Sequence, residues 1–116
     1  FFFARQLEMA VALSQADAKA AITDMLERIR DEETREVLDA AMEAAGADMA
    51  KVMELVIPKL FEIQGTVMQK YGFEPTDDGF TSFAEALKSQ EVHDDVRALA
   101  EEFKAEMGRF NPAKQQ

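Results

Sequence analysis

The sequence predicts an all-α protein, a small bundle of about four helices around one long central helix that is kinked at a proline. Residues that favour helices, above all alanine, leucine, methionine, glutamate and lysine, dominate the chain. Proline and glycine are scarce, with 3 and 5 among 116 residues. Residues 32–71 are helix-compatible throughout and contain Pro58 as their only proline. A continuous helix of that length would span about 60 Å.

The first helix is predicted over residues 15–30. Ser14 is the expected N-cap, and Asp17 stands three residues later, close to a capping-box pattern. Apolar residues recur on one face at helical spacing. Arg28 and Arg30 lie in the last turn, where positive charge is favourable to the helix dipole.

The second helix is predicted over residues 32–71, and its apolar residues advance in steps of three and four. The main stripe consists of Leu38, Met42, Ala45, Met49, Val52, Val56, Leu60, Ile63, Val67 and Tyr71. From Met42 to Val56 the steps alternate as in the heptads of a coiled coil. The second stripe consists of Ala41, Met53, Ile57, Phe61 and Met68. A face of this width suits contacts on more than one side.

Pro58 is expected to kink this helix, because proline lacks an amide hydrogen and its ring clashes one turn back. A complete break is the alternative, since Pro58 disfavours a helical backbone conformation at the preceding residue, Ile57. Gly72 is expected to end the helix as a left-handed C-cap. Phe73 would then fold back onto the last turn, as in a Schellman motif.

A loop is predicted over residues 73–79, and a third helix over residues 78–89. A fourth helix is predicted from residue 94 or 95 to residue 107, with Gly108 at its end. The apolar faces of these two helices consist of Phe80, Phe83, Ala84 and Leu87, and of Val96, Leu99, Ala100, Phe103 and Met107.

The chain is interpreted as one domain. Residues 1–13 are an N-terminal extension or short helix, residues 14–108 are the helical domain, and residues 109–116 are a tail. The phenylalanines at positions 1–3 are expected to pack against another surface.

Composition restricts the classes of partner and compartment. The formal net charge is −10, which disfavours nucleic acid and anionic membranes and favours a basic partner surface. There is no cysteine, which excludes disulfides and thiolate chemistry and fits the cytoplasm. An organelle is the alternative if a targeting sequence was removed before Phe1. No apolar run has the length of a membrane span.

One segment resembles a metal site. Counted from Glu74, residues 74–85 place glycine at position six and glutamate at position twelve, as an EF-hand calcium loop requires. The first ligand, however, would be glutamate in place of aspartate, and Pro75 follows it. The favoured interpretation is therefore that Asp77 and Asp78 cap the third helix, with calcium binding as an alternative.

The remaining polar residues do not predict catalysis. His93 is the only histidine, and its neighbours Asp94 and Asp95 are suited to capping a helix. Adjacent carboxylates such as Glu32 and Glu33 do not face each other on a helix. No Glu-x-x-His motif of a di-iron bundle is present. No catalytic, cofactor-binding or metal-binding residues are predicted, and the protein is not expected to be an enzyme.

Several short segments occur in the order and spacing of a known family. They are Ala12-Leu13-Ser14 with Ala18-Lys19, Asp48-Met49-Ala50-Lys51, Val56-Ile57-Pro58, Ile63-Gln64, Lys70-Tyr71-Gly72-Phe73, Gly79, Phe83-Ala84 and Leu87-Lys88-Ser89. In these segments the chain resembles the eukaryotic protein C10 family. The family's proline-rich tail is reduced here to Asn111-Pro112-Ala113, and residues 1–11 have no counterpart. The resemblance implies a small, helical, intracellular protein without catalytic activity or cofactor.

The sequence therefore predicts a helical interaction module, an adaptor or accessory subunit of a larger assembly. The expected partner contacts are Met49, Val52, Met53, Val56, Phe61, Tyr71 and Phe73. They are aromatic, methionine and apolar side chains on the wide face of the second helix and at its end. A homodimer through the same seam is the alternative. The favoured interpretation of the methionines Met42, Met49 and Met53 is that they belong to the core of the bundle, with an adaptable binding groove as the alternative.

Overall fold

A computed structural model describes residues 12–110, and within that range all regular secondary structure is helical. The helices are α1 (Gln15–Arg30), α2 (Glu32–Ala45), α3 (Met49–Leu55), α4 (Ile57–Gln69), α5 (Asp77–Ser89) and α6 (Asp94–Met107). Single turns of 3₁₀ helix lie at Gln90–Val92 and Gly108–Phe110. The all-α prediction is confirmed for the described range. The predictions for residues 1–11, with their three phenylalanines, and for the tail beyond residue 110 lie outside the described residues.

The first helix, α1, has the bounds that the sequence predicts. The hydroxyl oxygen of Ser14 accepts a hydrogen bond from the Asp17 amide at 3.0 Å. This bond satisfies one of the amides that have no partner within the helix. Immediately after α1, the carboxylate of Asp31 accepts from the Thr34 amide and caps α2 in the same manner.

The prediction of one long helix over residues 32–71 is wrong, because the chain leaves the helical path at Gly46. The backbone there has φ 62° and ψ −136°, and its amide donates to the carbonyl of Met42 at 3.0 Å. Positive φ favours glycine because a side chain would clash with the backbone. The carboxylate of Asp48 then accepts from the Ala50 amide at 2.9 Å and starts α3. A stop and a new cap, two residues apart, divide the predicted helix.

A second joint lies at Val56, between α3 and α4. Val56 keeps a right-handed helical backbone, with φ −101° and ψ −49°, and its amide still donates to Val52. Pro58 lies in the first turn of α4, where the absent amide removes no intrahelical hydrogen bond. The kink expected within a continuous helix is thus replaced by the start of a new helix.

A glycine corner terminates α4. The Phe73 amide donates to the Met68 carbonyl at 3.1 Å, and the Gly72 amide donates to the Gln69 carbonyl at 3.2 Å. Gly72 has φ 91°. These two bonds and the positive φ are those of a Schellman motif. The corner turns Phe73 back into the core, where its ring meets Phe83 edge to face with 5.2 Å between ring centres.

The centre of the bundle is α1, which packs against α2, α4 and α6. Its buried side chains are Ala18, Ala21, Ile22, Met25, Leu26 and Ile29. The central position that the sequence pattern assigns to the 32–71 helix therefore belongs to the first helix. The segments of that predicted helix instead lie around α1.

The core has two parts, and α1 passes through both. The first cluster consists of buried Leu13, Ala18, Ala21, Ile22, Met25, Leu26, Val67, Met68, Phe73, Phe83, Val96 and Ala100. The second cluster consists of buried Ile29, Leu38, Ala41, Ala45, Val52, Val56, Leu60 and Phe110. Half-buried Phe103, on α6, packs against both clusters and joins them.

Ion pairs connect α1 to its neighbours. Arg30 donates to Glu106 of α6 at 2.9 Å, and this bond lowers the pKa of Glu106 against an opposing effect of burial. At Asp24, burial by itself would raise the pKa, but hydrogen bonds from Lys70 and Arg28 outweigh burial and lower it. The charged forms of both carboxylates are therefore favoured by the fold.

Gly79 supplies a test of the backbone packing at the start of α5. A Cβ atom at Gly79 would lie 1.7 Å from the carbonyl oxygen of Glu74, so the backbone would have to move. We expect Gly79→Ala to lower the free energy of unfolding by more than about 2 kcal/mol. The matched control is Gly65→Ala, whose Cβ would lie 3.5 Å from Pro75, an ordinary contact. Helix propensity should make this control neutral or up to about 1 kcal/mol more stable. Urea unfolding followed by circular dichroism measures both, and equal losses would contradict the packing argument.

The lowered pKa values predict a loss of stability in acid. A carboxyl group whose pKa is lower in the folded state stabilises the fold above its unfolded pKa, about 4, and stops doing so as the pH falls through its folded pKa. We expect the urea concentration at the midpoint of unfolding to be nearly constant from about pH 7 to pH 5, and to decrease at pH values below about 4.

Glu106→Gln should lower the free energy of unfolding by about 1 kcal/mol at neutral pH, and by less in acid. The control is Glu101→Gln, on an exposed residue of α6 outside these ion pairs. A cost of Glu106→Gln that does not change with pH would count against this explanation.

Candidate protein-interaction surface

Of the residues predicted from the sequence to contact a partner, some are buried in the structure and others are exposed. Val52 and Val56 are 1% and 0% exposed and lie in the second cluster, and Phe73 lies buried in the first. Half-buried Tyr71 packs against the first cluster. Val52 and Val56, from the heptad-like part of the stripe, pack in the second cluster with residues of α1, α2 and α4, whereas Tyr71 and Phe73 pack in or against the first. All four are therefore removed from the candidate surface.

Two of the remaining residues form an exposed apolar strip on α3. Met49 and Met53 are 51% and 59% exposed and stand four residues apart, so they lie on one face of the helix. We call this pair the methionine strip. Methionine side chains are flexible and polarisable, and they adapt to partners of different shape.

Phe61, the last of the predicted contacts, lies in a groove between α4 and the start of α5. Its ring stacks on Phe80 with 4.8 Å between ring centres and 30° between ring planes, yet 46% of the residue is exposed. The groove has a volume of roughly 550 Å³ and is lined by Pro58, Phe61, Glu62, Gly65, Thr66, Gln69, Pro75, Asp77 and Phe80. We call it the aromatic groove.

Local sequence explains why the aromatic groove forms. The α4 residues that line it recur at steps of three and four, on the face opposite buried Leu60 and Val67. After the Gly72 corner, the chain returns alongside this face. Pro75 lies beside α4 at Gly65, where a Cβ atom would meet the proline ring at an ordinary contact distance of 3.5 Å. The groove is thus one helix face bordered by a returning loop.

The charged residues that line the aromatic groove are both acidic. Glu62 and Asp77 are exposed, and within residues 12–110 neither carboxylate forms an ion pair. Carboxylates between helices elsewhere are paired, as Asp24 is with Lys70 at 2.8 Å. Among the residues that the structure describes, no lysine or arginine lines the groove. The groove therefore combines an apolar aromatic wall with two carboxylates that no lysine or arginine of the described residues neutralises.

The segment proposed as a calcium-loop alternative has a different structure. Most of residues 74–85 belong to α5, which begins at Asp77. The Thr76 hydroxyl accepts from the Gly79 amide at 3.1 Å and caps this helix. Gly79 lies so close to the Glu74 backbone that a Cβ atom would not fit, which explains the glycine at this position. The segment does not form an EF-hand loop. The expectation that Asp77 and Asp78 act as caps is corrected as well, since both lie in the first turn.

The region around His93 links helices. His93 precedes α6 and makes no side-chain capping bond. Asp95 pairs with Lys19 at 3.0 Å and accepts from the Gln15 side chain at 3.0 Å, and these contacts lower the pKa of Asp95. This carboxylate therefore joins α6 to α1.

A second groove, of roughly 420 Å³, is polar. It is lined by Asp24, Glu27, Arg28, Asp31, Thr34, Glu62, Ile63 and Thr66. Across residues 12–110, no three histidine, aspartate or glutamate side chains come close enough to share a metal ion. In the same range, every helix is too short or too polar to span a lipid bilayer.

Sequence reasoning missed most of the aromatic groove. Phe80 is predicted from its spacing with Phe83 to face inward, and it does pack against the first cluster, but it is only half-buried and its ring also stacks on Phe61. Gly65, Pro75 and Asp77 carry no apolar or catalytic signal by themselves. One signal in the sequence could have indicated the groove. Phe61 on α4 is followed by a loop that contains Gly72 and Pro75, and such a loop can turn the chain back alongside the phenylalanine.

Comparison with known proteins gives one family. The model of the family described as Protein C10 matches residues 14–108. The relative "Protein C10" of Xenopus tropicalis is 32% identical over 96 residues, covering 82% of this chain and 75% of the relative. The human protein of the same name is 32% identical over 95 residues, covering 81% and 75%. The Danio rerio protein is 28% identical over 94 residues, covering 80% and 77%. No solved structure matches the chain.

Two substitutions separate the buried seam from the exposed strip. Val52→Asp would place a carboxylate in the second cluster, and we expect it to unfold the protein or cost more than about 3 kcal/mol. Met53→Asp, one residue along α3, should change the free energy of unfolding by less than about 1 kcal/mol. Thermal unfolding followed by circular dichroism distinguishes the two. A folded Val52→Asp variant of unchanged stability would show that this face of α3 is not core.

Proposed function

The chain belongs to the protein C10 family, and we propose that it acts as a non-enzymatic helical interaction module, an adaptor or accessory subunit of a larger protein assembly. The observation that carries the proposal is the half-exposed, stacked Phe61 in the aromatic groove. Large aromatic side chains held in a groove are frequent anchors of protein interfaces. The ring is fixed by Phe80, so little conformational freedom is lost when a partner covers it.

A non-catalytic role is proposed from the way that the ionisable groups are used. The carboxylates with lowered pKa values, Asp24, Asp95 and Glu106, are held by side chains of neighbouring helices. Shifted pKa values of this kind are explained by structural ion pairs and need no catalytic role. The single histidine, His93, lies at the start of α6 and makes no side-chain capping bond.

We propose a protein partner in preference to nucleic acid or a membrane. A net charge of −10 repels phosphate backbones and anionic lipid headgroups. The same charge attracts basic protein surfaces. We propose the cytoplasm as the compartment, in keeping with the lack of cysteine in the sequence.

Self-association is the second candidate function, and the methionine strip favours it. Met49 and Met53 are more exposed than Phe61 and lie on a different helix from the aromatic groove. In a symmetric dimer, the strip would pack against its own copy. Self-association and binding of another protein predict different cross-linked products.

Site-specific photocross-linking tests both candidates. A photoreactive phenylalanine analogue is placed at position 61, at position 53, or at exposed position 98 on α6 as the control. In lysate of the source cells, we expect position 61 to give a discrete product with another protein, and position 98 to give none. A product at position 53 with twice the mass of the chain would support the homodimer.

Mass spectrometry identifies each cross-linked product. Circular dichroism of every variant establishes that it is folded. If folded protein labelled at position 61 yields no product beyond that of position 98, the interaction module through the aromatic groove is refuted.

A further inference from the structure

We propose that the aromatic groove binds a short, positively charged segment of a partner protein in which lysine or arginine alternates with apolar residues. This inference rests on the proposed function and names the chemistry of its partner. Within the described residues, three features carry it: the aromatic wall, two lining carboxylates that form no ion pair, and the absence of any lysine or arginine from the lining.

The apolar half of the site is preorganised. The Phe61 and Phe80 rings are stacked on each other, and two proline rings, Pro58 and Pro75, complete the apolar lining. Stacked rings and proline rings have little conformational freedom to lose. Leucine, methionine or aromatic side chains of a partner would bury this surface at low entropic cost.

The carboxylates of the groove determine which sign of charge a partner segment should carry. Glu62 follows Phe61 on α4, and Asp77 begins α5 three residues before Phe80, so each of the two helices contributes one carboxylate to the lining. Neither is neutralised by an ion pair within the described part of the chain. A lysine or arginine of the partner would supply the missing charge, and an acidic segment would be repelled.

The net charge of the whole chain also favours a positively charged partner segment. The net charge of −10 raises the local concentration of cationic segments and lowers that of anionic ones. Nucleic acid, acidic peptides and anionic vesicles are therefore disfavoured at this groove. A segment with charge alone would leave the aromatic wall exposed, so both apolar and basic residues are required.

Fluorescence anisotropy with synthetic peptides tests the inference. The probe is a short fluorescein-labelled peptide in which arginine alternates with leucine and phenylalanine. One comparison peptide has glutamate in place of arginine, and another has serine in place of the apolar residues. We expect the first peptide to bind at least about tenfold more tightly than either comparison peptide, and to bind more weakly as salt is raised. Equal binding of the glutamate peptide, or binding of none of the three, would overturn the proposal.

Matched variants locate the binding. Glu62→Gln with Asp77→Asn removes the two groove charges, and we expect it to weaken binding by about tenfold. The control, Asp78→Asn with Glu101→Gln, removes the same net charge from exposed positions outside the groove lining and should change affinity by less than about twofold. Equal losses in the two pairs would show that only net charge matters.

A second set of readouts places the peptide on the molecule. Phe61→Ser should weaken binding about as strongly as the double variant Glu62→Gln with Asp77→Asn. In NMR spectra recorded during titration with the arginine peptide, the backbone amide shift changes should centre on Gly65, Thr66 and Phe80. Shifts centred on another surface would contradict the proposal. The inference fails separately from the proposed function, since a partner cross-linked at position 61 retains the interaction module even if the peptides show no preference for positive charge.

Discussion

The burial of α1 on three sides is the constraint on which the rest of the fold depends. Small residues, Ala18 and Ala21, have no exposed surface and allow neighbouring helices to come close, while Ile22, Met25 and Ile29 fill the space between them. Because α2, α4 and α6 all pack on α1, the position of each is set by this one helix. Ion pairs of Asp24, Asp95 and Glu106 join α1 to its neighbours at the periphery, where burial is incomplete.

The start and end of a single helix could be predicted from the sequence, but the breaks between consecutive helices could not. The bounds of α1 follow from a serine cap and two terminal arginines, all local features. The predicted 32–71 helix failed at Gly46, although a glycine followed by Asp48 is a known stop and start pattern. The apolar stripe concealed the break, because α2, α3 and α4 each turn apolar residues towards the same core and keep the three-and-four spacing across the joints.

The candidate site shows the same division. Val52 and Val56 have the spacing of a coiled-coil seam, but a seam pattern does not say whether the covering helix belongs to the same chain. Phe61 was identified from its stripe. Its partner Phe80 could not be, since their stacking depends on the path of the chain from Gly72 to α5. Grooves made by residues distant in sequence become visible only when that path is known.

The short helix α3 has a consequence for the motions of the molecule. It has seven residues, is bounded by the Gly46 turn and the Val56 joint, and buries Val52 as its only fully covered side chain. Isolated helices of this length are unstable in water, so α3 depends on that contact and on its neighbours. Local opening costs least where buried contacts are few. The native ensemble is therefore expected to loosen first at α3, and such an opening would briefly turn an inward-facing valine seam into accessible surface without unfolding α1.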